Sequence, residues 1–105
     1  MDITFGEALL VVGLHPLRVV RRVYLPGGPY GLALDRRARR LWVTLPARNE
    51  LAELPAHGRP HVLARYPTVR QPDTVAVDPG TGVVAVTGRA AGVLQLLRTR
   101  ARGRR

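Results

Sequence analysis

The chain has 105 residues, and its 17 basic side chains, all arginine, outnumber 7 acidic ones to give a formal charge of +10. The length is close to that of one domain, and an apolar content of 46% is too high for a disordered chain. The absence of cysteine excludes disulfides, thiolate metal sites and cysteine nucleophiles, and the absence of serine excludes a serine nucleophile.

The predicted elements are short β-strands separated by turns. Nine prolines and eleven glycines leave little room for a long helix. In chain order, the predicted strands cover residues 6–12, 17–24, 30–35, 40–45, 50–54, 61–66, 73–78, 83–88 and 92–97. The turn 78–82, with the sequence DPGTG, is typical of a hairpin, because its aspartate can accept backbone N–H groups and its last glycine can adopt a left-handed conformation.

The strands recur with a period of 43 residues. The segment 29–35, PYGLALD, aligns with 72–78, PDTVAVD, and the same offset places 43–44 on 86–87 without any gap across the chain. Four antiparallel strands in a repeat of about 40–45 residues are typical of a β-propeller blade. The alternative is a small β-sandwich or barrel in which the internal similarity is accidental.

The period divides the chain into about 2.4 blades, whereas propellers close with about 4–8. We therefore expect an all-β fold, a partial propeller of four-stranded antiparallel repeats over residues 6–97 that does not close a ring by itself. Its predicted parts are 6–28, the end of one blade; 29–71, a full blade; and 72–97, three strands of the last blade. Missing blades or self-association would cover the edges that this division leaves open.

Arginine is concentrated at the end of the sequence, where it fills five of the eight positions in 98–105. We expect this segment to be a disordered, solvated tail. The alternative is that it binds nucleic acid or another anionic surface weakly. The absence of lysine and serine beside abundant arginine, alanine and glycine is typical of a GC-rich genome, which raises arginine content without selection for a partner.

The repeat resembles that of a known family. The segments 42–49, WVTLPARN, and 71–78, QPDTVAVD, resemble the YVTN repeat of YncE-like seven-bladed propellers, and 29–35 fits the same strand opening. Leu45 and Gly88 stand where that family usually has asparagine. NHL-type and SMP-30/gluconolactonase-like propellers have similar strand openings and are the runner-up. The resemblance implies a longer intact protein with further blades and an extracytoplasmic location.

Alternating strand direction sorts the loops onto two faces, and the resemblance implies that ligands bind on the face carrying the loops between blades. The candidate ligand-binding residues on that face are Tyr30, Arg48, Asn49, Arg70, Asp73 and Arg89. The alternative interpretation is that these are ordinary solvated loop residues.

No catalytic residue, metal site or cofactor is predicted. His57 and His61 are separated by a glycine and a proline, which exclude a helical pair of metal ligands. Asp35 and Asp78 occupy equivalent positions in different blades, so we expect them to cap turns rather than to form a carboxylate pair.

The sequence therefore predicts a non-enzymatic scaffold that binds an unknown ligand or protein. One alternative is a part of a propeller enzyme, of lactonase or lyase type, whose catalytic residues lie in other blades; the other is a binder of nucleic acid or anionic surfaces. The apolar run 8–12 is too short to span a membrane, and nearby acidic residues do not fit a signal peptide. The sequence leaves the compartment open.

Overall fold

The computed structural model describes residues 2–14, 17–88 and 93–98, and the described part of the chain forms three antiparallel β-sheets. The first sheet contains β1 (Asp2–Phe5), β2 (Ala8–Leu14) and β3 (Leu17–Tyr24). The middle sheet contains β4 (Leu32–Asp35), β5 (Arg40–Leu45), β6 (Glu50–Pro55) and β7 (Ala64–Pro67). The last sheet contains β8 (Pro72–Val77), β9 (Val83–Gly88) and β10 (Val93–Arg98).

In each sheet the strands lie in chain order, and a short 3₁₀ turn, Pro46–Arg48, joins β5 to β6. The predicted all-β fold is confirmed: three antiparallel sheets, none closed into a barrel, are consistent with part of a propeller. The division into blades stays a prediction. β10 includes Arg98, the first residue of the predicted tail, and residues 99–105 lie outside the described part of the chain.

The 43-residue period is visible in the strand pairing of the middle and last sheets. Leu51 pairs with Thr44 in the middle sheet, and Leu94 pairs with Thr87 in the last sheet at the same offset. The pairing of β4 with β5 likewise matches the pairing of β8 with β9. Because pairing register decides which face each side chain occupies, equivalent residues of the two sheets lie on equivalent faces.

Backbone conformation repeats with the same period. Residues with positive φ include Gly28 and Gln71, and Arg39 and Gly82, each pair separated by 43 residues. In each pair one member is a glycine, which adopts this conformation without strain, and the other carries a side chain. The repeat therefore extends to the turns as well as to the strands.

The first sheet departs from the ungapped repeat. Leu9 pairs with Val23 as Leu51 pairs with Tyr66. Val23 and Tyr66 are 43 residues apart, whereas Leu9 and Leu51 are 42 apart. The register of β2 and β3 also shifts between Val11 and Val12. The expectation of a repeat without a gap is wrong here, because the connection from Leu9 to Val23 is one residue shorter than that from Leu51 to Tyr66.

The first sheet also contains a strand that the sequence analysis did not predict, β1. Phe5 pairs with Ala8 across a turn of two residues, in which Gly6 has a φ of 62°. The corresponding connection in the middle sheet runs through the 3₁₀ turn, with Leu45 paired to Glu50. The shorter turn moves β1 out of the 43-residue register, so the repeat could not reveal it.

One apolar core lies between the first and middle sheets. Leu9 and Leu25 pack there against Leu41, Val43 and Leu54, all of which are buried. Side chains alternate between the two faces of a strand, so β5 presents Leu41 and Val43 to this core and its intervening residues to the opposite face. Burial of this apolar surface holds the two sheets together.

A second apolar core lies between the middle and last sheets. Trp42 and Leu51 of the middle sheet are fully buried there, against Val84 and Val86 of the last sheet. Trp42 also contacts Tyr66, with ring centroids 5.8 Å apart. The middle sheet is thus covered on both faces.

Thr44 joins the middle sheet to the last sheet through its hydroxyl. Its Oγ1 donates to the carbonyl oxygen of Asp73 at 2.8 Å and accepts the backbone N–H of Gly31 at 2.7 Å. A Cβ at Gly31 would collide with that same carbonyl of Asp73. Glycine at this position therefore permits the approach of the two sheets that the hydroxyl then fixes.

We predict that Thr44→Val lowers the free energy of unfolding by about 1–2 kcal/mol, because it leaves a part-buried N–H and a carbonyl without their hydroxyl partner. The matched control is Thr74→Val, whose hydroxyl bonds to Thr87 at an exposed position within the last sheet. Urea denaturation of both variants measures the difference. Equal losses in the two variants would contradict the bridging role of Thr44.

Candidate functional site

The loops of the predicted ligand-binding face are tied together by backbone hydrogen bonds. The loop before β4 meets the 3₁₀ turn, where the N–H of Ala47 donates to the carbonyl of Gly27 at 3.0 Å. The loop after β7 meets the same connection, where the N–H of Thr68 donates to the carbonyl of Asn49 at 3.0 Å. Three segments distant in sequence therefore form one surface, which we call the loop face: residues 25–31, 46–49 and 68–73.

Asn49 lies at the centre of the loop face and holds it together. Its backbone is left-handed, with a φ of 54°, and its side-chain Oδ1 accepts the N–H of Gln71 at 2.7 Å. Asparagine tolerates this backbone conformation better than most residues with a side chain. Asn49 was predicted as a ligand-binding candidate, and the structure gives it a positioning role between two loops.

Arg48 lies across the loop face with its guanidinium exposed. Its side chain covers Gly27, where an added Cβ would lie 3.0 Å from the arginine Cδ. Its Nε is 3.9 Å from Oε1 of Glu50, and Nη1 of Arg65 is 3.3 Å from the same oxygen. One carboxylate thus faces two guanidinium groups, which leaves a net positive charge at this end of β6.

The other candidates lie on the same loops. The side chain of Tyr30 is exposed, and its residue is 57% accessible, while its backbone N–H donates to the carbonyl of Thr44 at 3.1 Å. Arg70 is exposed beside Gln71, and Asp73 is half-buried, with its carbonyl bonded to Thr44. The candidate Arg89 lies outside the described residues.

Asp35 and Asp78 cap equivalent turns, as predicted. Oδ1 of Asp35 accepts the N–H groups of Arg37 and Ala38, each at 3.1 Å. Oδ1 of Asp78 accepts the N–H of Gly80 at 3.3 Å, and its Oδ2 accepts the Thr81 hydroxyl at 2.8 Å. Both carboxylates therefore stabilise the turn between the first and second strands of a sheet.

A buried polar cluster was not predicted from the sequence. Glu53 is 2% accessible; its Oε2 accepts Nε of Arg40 at 3.0 Å, and its Oε1 accepts the hydroxyl of Tyr66 at 2.7 Å. Burial and then the hydrogen bond to Glu53 raise the pKa of the Tyr66 phenol well above its usual value. The phenol therefore keeps its proton at neutral pH and donates a hydrogen bond to the carboxylate.

This cluster lies on the face of the middle sheet that the last sheet covers, away from the loop face. A glutamate between apolar residues of a predicted strand was the available signal, since buried glutamate is rare unless it is paired. Its partners come from β5 and β7, so spacing along the chain did not reveal them. The cluster neutralises a charge inside the fold.

Within the described part of the chain, no group of three or more His, Cys, Asp or Glu residues could hold a metal ion. The same residues include no helix long and apolar enough to cross a membrane.

Comparisons with known proteins place the fold among propeller-like β structures. No protein-family model matches the sequence, and no curated protein matches it. Among solved structures, hydrazine synthase of Kuenenia stuttgartiensis is similar with a TM-score of 0.69 and 17% identity, over 88% of this chain and 34% of that chain. A crystal structure of the nidogen/laminin complex is similar with a TM-score of 0.68 and 14% identity, over 99% of this chain and 41% of that chain.

The chain thus spans about a third of the length of the first similar structure and about two fifths of the second. At these identities the likeness concerns the fold alone. The described part of the chain has a propeller-like β fold.

We predict that Asn49→Ala lowers the free energy of unfolding by about 2 kcal/mol, because alanine strains the left-handed backbone and loses the bond to Gln71. Asn49→Gly keeps the backbone relaxed and loses the side-chain bond alone, so its loss is about 1 kcal/mol smaller. Chemical denaturation of the two variants measures both values. If the glycine variant loses as much as the alanine variant, backbone conformation is not what selects asparagine here.

Proposed function

We propose that this chain is a non-enzymatic β-propeller segment that serves as a binding scaffold through its loop face. The observation that carries this proposal is that exposed Tyr30, Arg48 and Arg70 are mounted on loops whose backbones are bonded to one another. Loops fixed in this way lose little conformational freedom when a partner binds. A rigid frame with variable exposed side chains is the usual arrangement of a binding surface.

The chemistry of the loop face favours an acidic partner. Arg48 and Arg70 supply guanidinium groups, and the carboxylate of Glu50, 3.9 Å from Arg48, also faces Arg65. Tyrosine and arginine are the side chains enriched where proteins bind one another. We therefore propose an acidic segment of a protein as the ligand. The nidogen/laminin structure, which is of a complex between proteins, supports an interaction role.

We further propose that the chain is a fragment of a longer YncE-like protein. The repeat motif supports the YncE-like assignment, and the similar structures, in which the matched region is about a third to two fifths of a longer chain, support the proposal of a longer protein. An extracytoplasmic location of the intact protein follows if the assignment holds.

The test uses a fluorescent peptide of twelve residues rich in glutamate as the probe. Wild-type chain is compared with the double variant Arg48→Gln/Arg70→Gln, which we expect to bind at least tenfold more weakly, because each charge-assisted hydrogen bond contributes about 1.5–3 kcal/mol. The matched control is Arg36→Gln/Arg37→Gln, which removes two exposed arginines from the turn between β4 and β5. Fluorescence anisotropy measures the affinities.

Equal weakening in both double variants would contradict the proposal, because it would reduce binding to general attraction by net charge. Two further outcomes favour the alternatives. Binding to duplex DNA that disappears on deletion of residues 98–105, with no binding of the peptide, would favour the arginine tail. Hydrolysis of a lactone or an ester by this chain would contradict a non-enzymatic role.

A further inference from the structure

One face of the last sheet carries exposed leucines. Leu94 and Leu96 on β10 are 61% and 64% accessible. Leu97, on the same strand, faces the middle sheet and packs against the second core. Because side chains alternate along a strand, Leu94 and Leu96 point away from the middle sheet. We call this surface, with Thr74 and Thr87, the open face.

The open face is the repeat equivalent of a face that is covered within the same molecule. Leu94 pairs with Thr87 as Leu51 pairs with Thr44, and Leu51 is fully buried beneath the last sheet. Two residues further along the same strands, the middle sheet has the charged Glu53 and the last sheet has Leu96. At this position the open face is apolar where its covered equivalent is charged, although it is exposed to water.

The first sheet offers a complementary surface at the other end of the chain. Leu9 packs toward the middle sheet, so Ala8 and Leu10 point to the opposite face, where they form a small buried cluster of their own. A groove of about 440 Å³ opens beside them, lined by Gly6, Glu7, Ala8, Arg22 and Tyr24. Ala8 and the 73% accessible ring of Tyr24 offer apolar contact to leucine side chains, while Glu7 and Arg22 line the rest of the groove.

We propose that two copies of this chain associate head to tail, with Leu94 and Leu96 of one copy seated in the Ala8–Tyr24 groove of the next. The occupant is a second copy because the contact continues a pattern already present twice in the molecule. In the first core, the face of the first sheet that bears Leu9 packs on the middle sheet. In the second core, the face of the middle sheet that bears Leu51 packs on the last sheet. On the two faces outside those pairings, Leu94 and Leu96 are exposed at one end, and Tyr24 is exposed beside the groove at the other.

The spacing between copies differs from the spacing inside the chain. Thr74 occupies the place that Gly31 occupies in the middle sheet, and its hydroxyl is bonded to that of Thr87 at 2.7 Å. A second sheet therefore cannot approach as closely as Asp73 approaches Gly31, and leucine side chains entering a groove fill the wider gap. Such a contact is heterologous, and two copies together supply six sheets, within the range at which propellers close.

The experiment is sedimentation velocity on the full chain of 11.5 kDa at micromolar to hundred-micromolar concentrations. We expect wild type to form species of two or more copies as concentration rises. Added salt strengthens the association, because it screens repulsion between chains of charge +10 and leaves apolar contact intact. A wild-type chain that stays monomeric, or association that salt dissolves, overturns the proposal.

Two variants then test the direction of the contact. Leu94→Glu/Leu96→Glu destroys the open face, and Tyr24→Glu destroys the groove; all three residues are exposed, so the fold tolerates them. Each variant alone is expected to be monomeric, whereas an equimolar mixture forms a dimer that grows no further, since one intact open face meets one intact groove. Leu63→Glu, at another exposed leucine, is the matched control and associates like wild type.

If Tyr24→Glu still associates by itself and the mixture gains nothing, the open faces meet each other and the head-to-tail arrangement is wrong. If the mixture stays monomeric, the groove does not receive the leucines and the proposal is overturned. Circular dichroism of each variant separates these outcomes from unfolding. None of the substituted residues belongs to the loop face, so failure here leaves the proposed function intact.

Discussion

The hydroxyl of Thr44 connects two sheets that apolar contact alone would leave free to slide. It accepts the N–H of Gly31, directly before β4 of its own sheet, and donates to the carbonyl of Asp73 in the next sheet. The glycine at position 31 is what allows the carbonyl to come so near. Trp42 and Leu51 are buried between the same two sheets.

The period and the strands of the middle and last sheets could be predicted from the sequence, because turn residues and apolar alternation recur together at 43 residues. The first sheet could be predicted less well, since a bulge and a two-residue turn at Gly6 changed its register. On the loop face, the sequence identified the exposed residues of the loops. It could not reveal that the side chain of Asn49 accepts a hydrogen bond from Gln71, because folding brings together two loops that are 22 residues apart in sequence. The partners of Glu53 were hidden for the same reason.

Two surfaces with different chemistry follow from this arrangement. The loop face is positively charged and built on backbone hydrogen bonds, which suits recognition of a charged segment. The open face is apolar and lies at the end of a stack of sheets, which suits contact with another sheet. The two surfaces share no residue, so a partner could occupy the loop face while the open face is covered.

Nuclear Overhauser contacts of Trp42 test the stacking of the sheets most directly. Trp42 is the one tryptophan in the sequence, so its ring protons are assigned without ambiguity. The structure predicts contacts from this ring to the methyl groups of Val84 and Val86, more than forty residues away. Contacts from the ring to side chains of its own sheet alone, with none to these valines, would contradict the account.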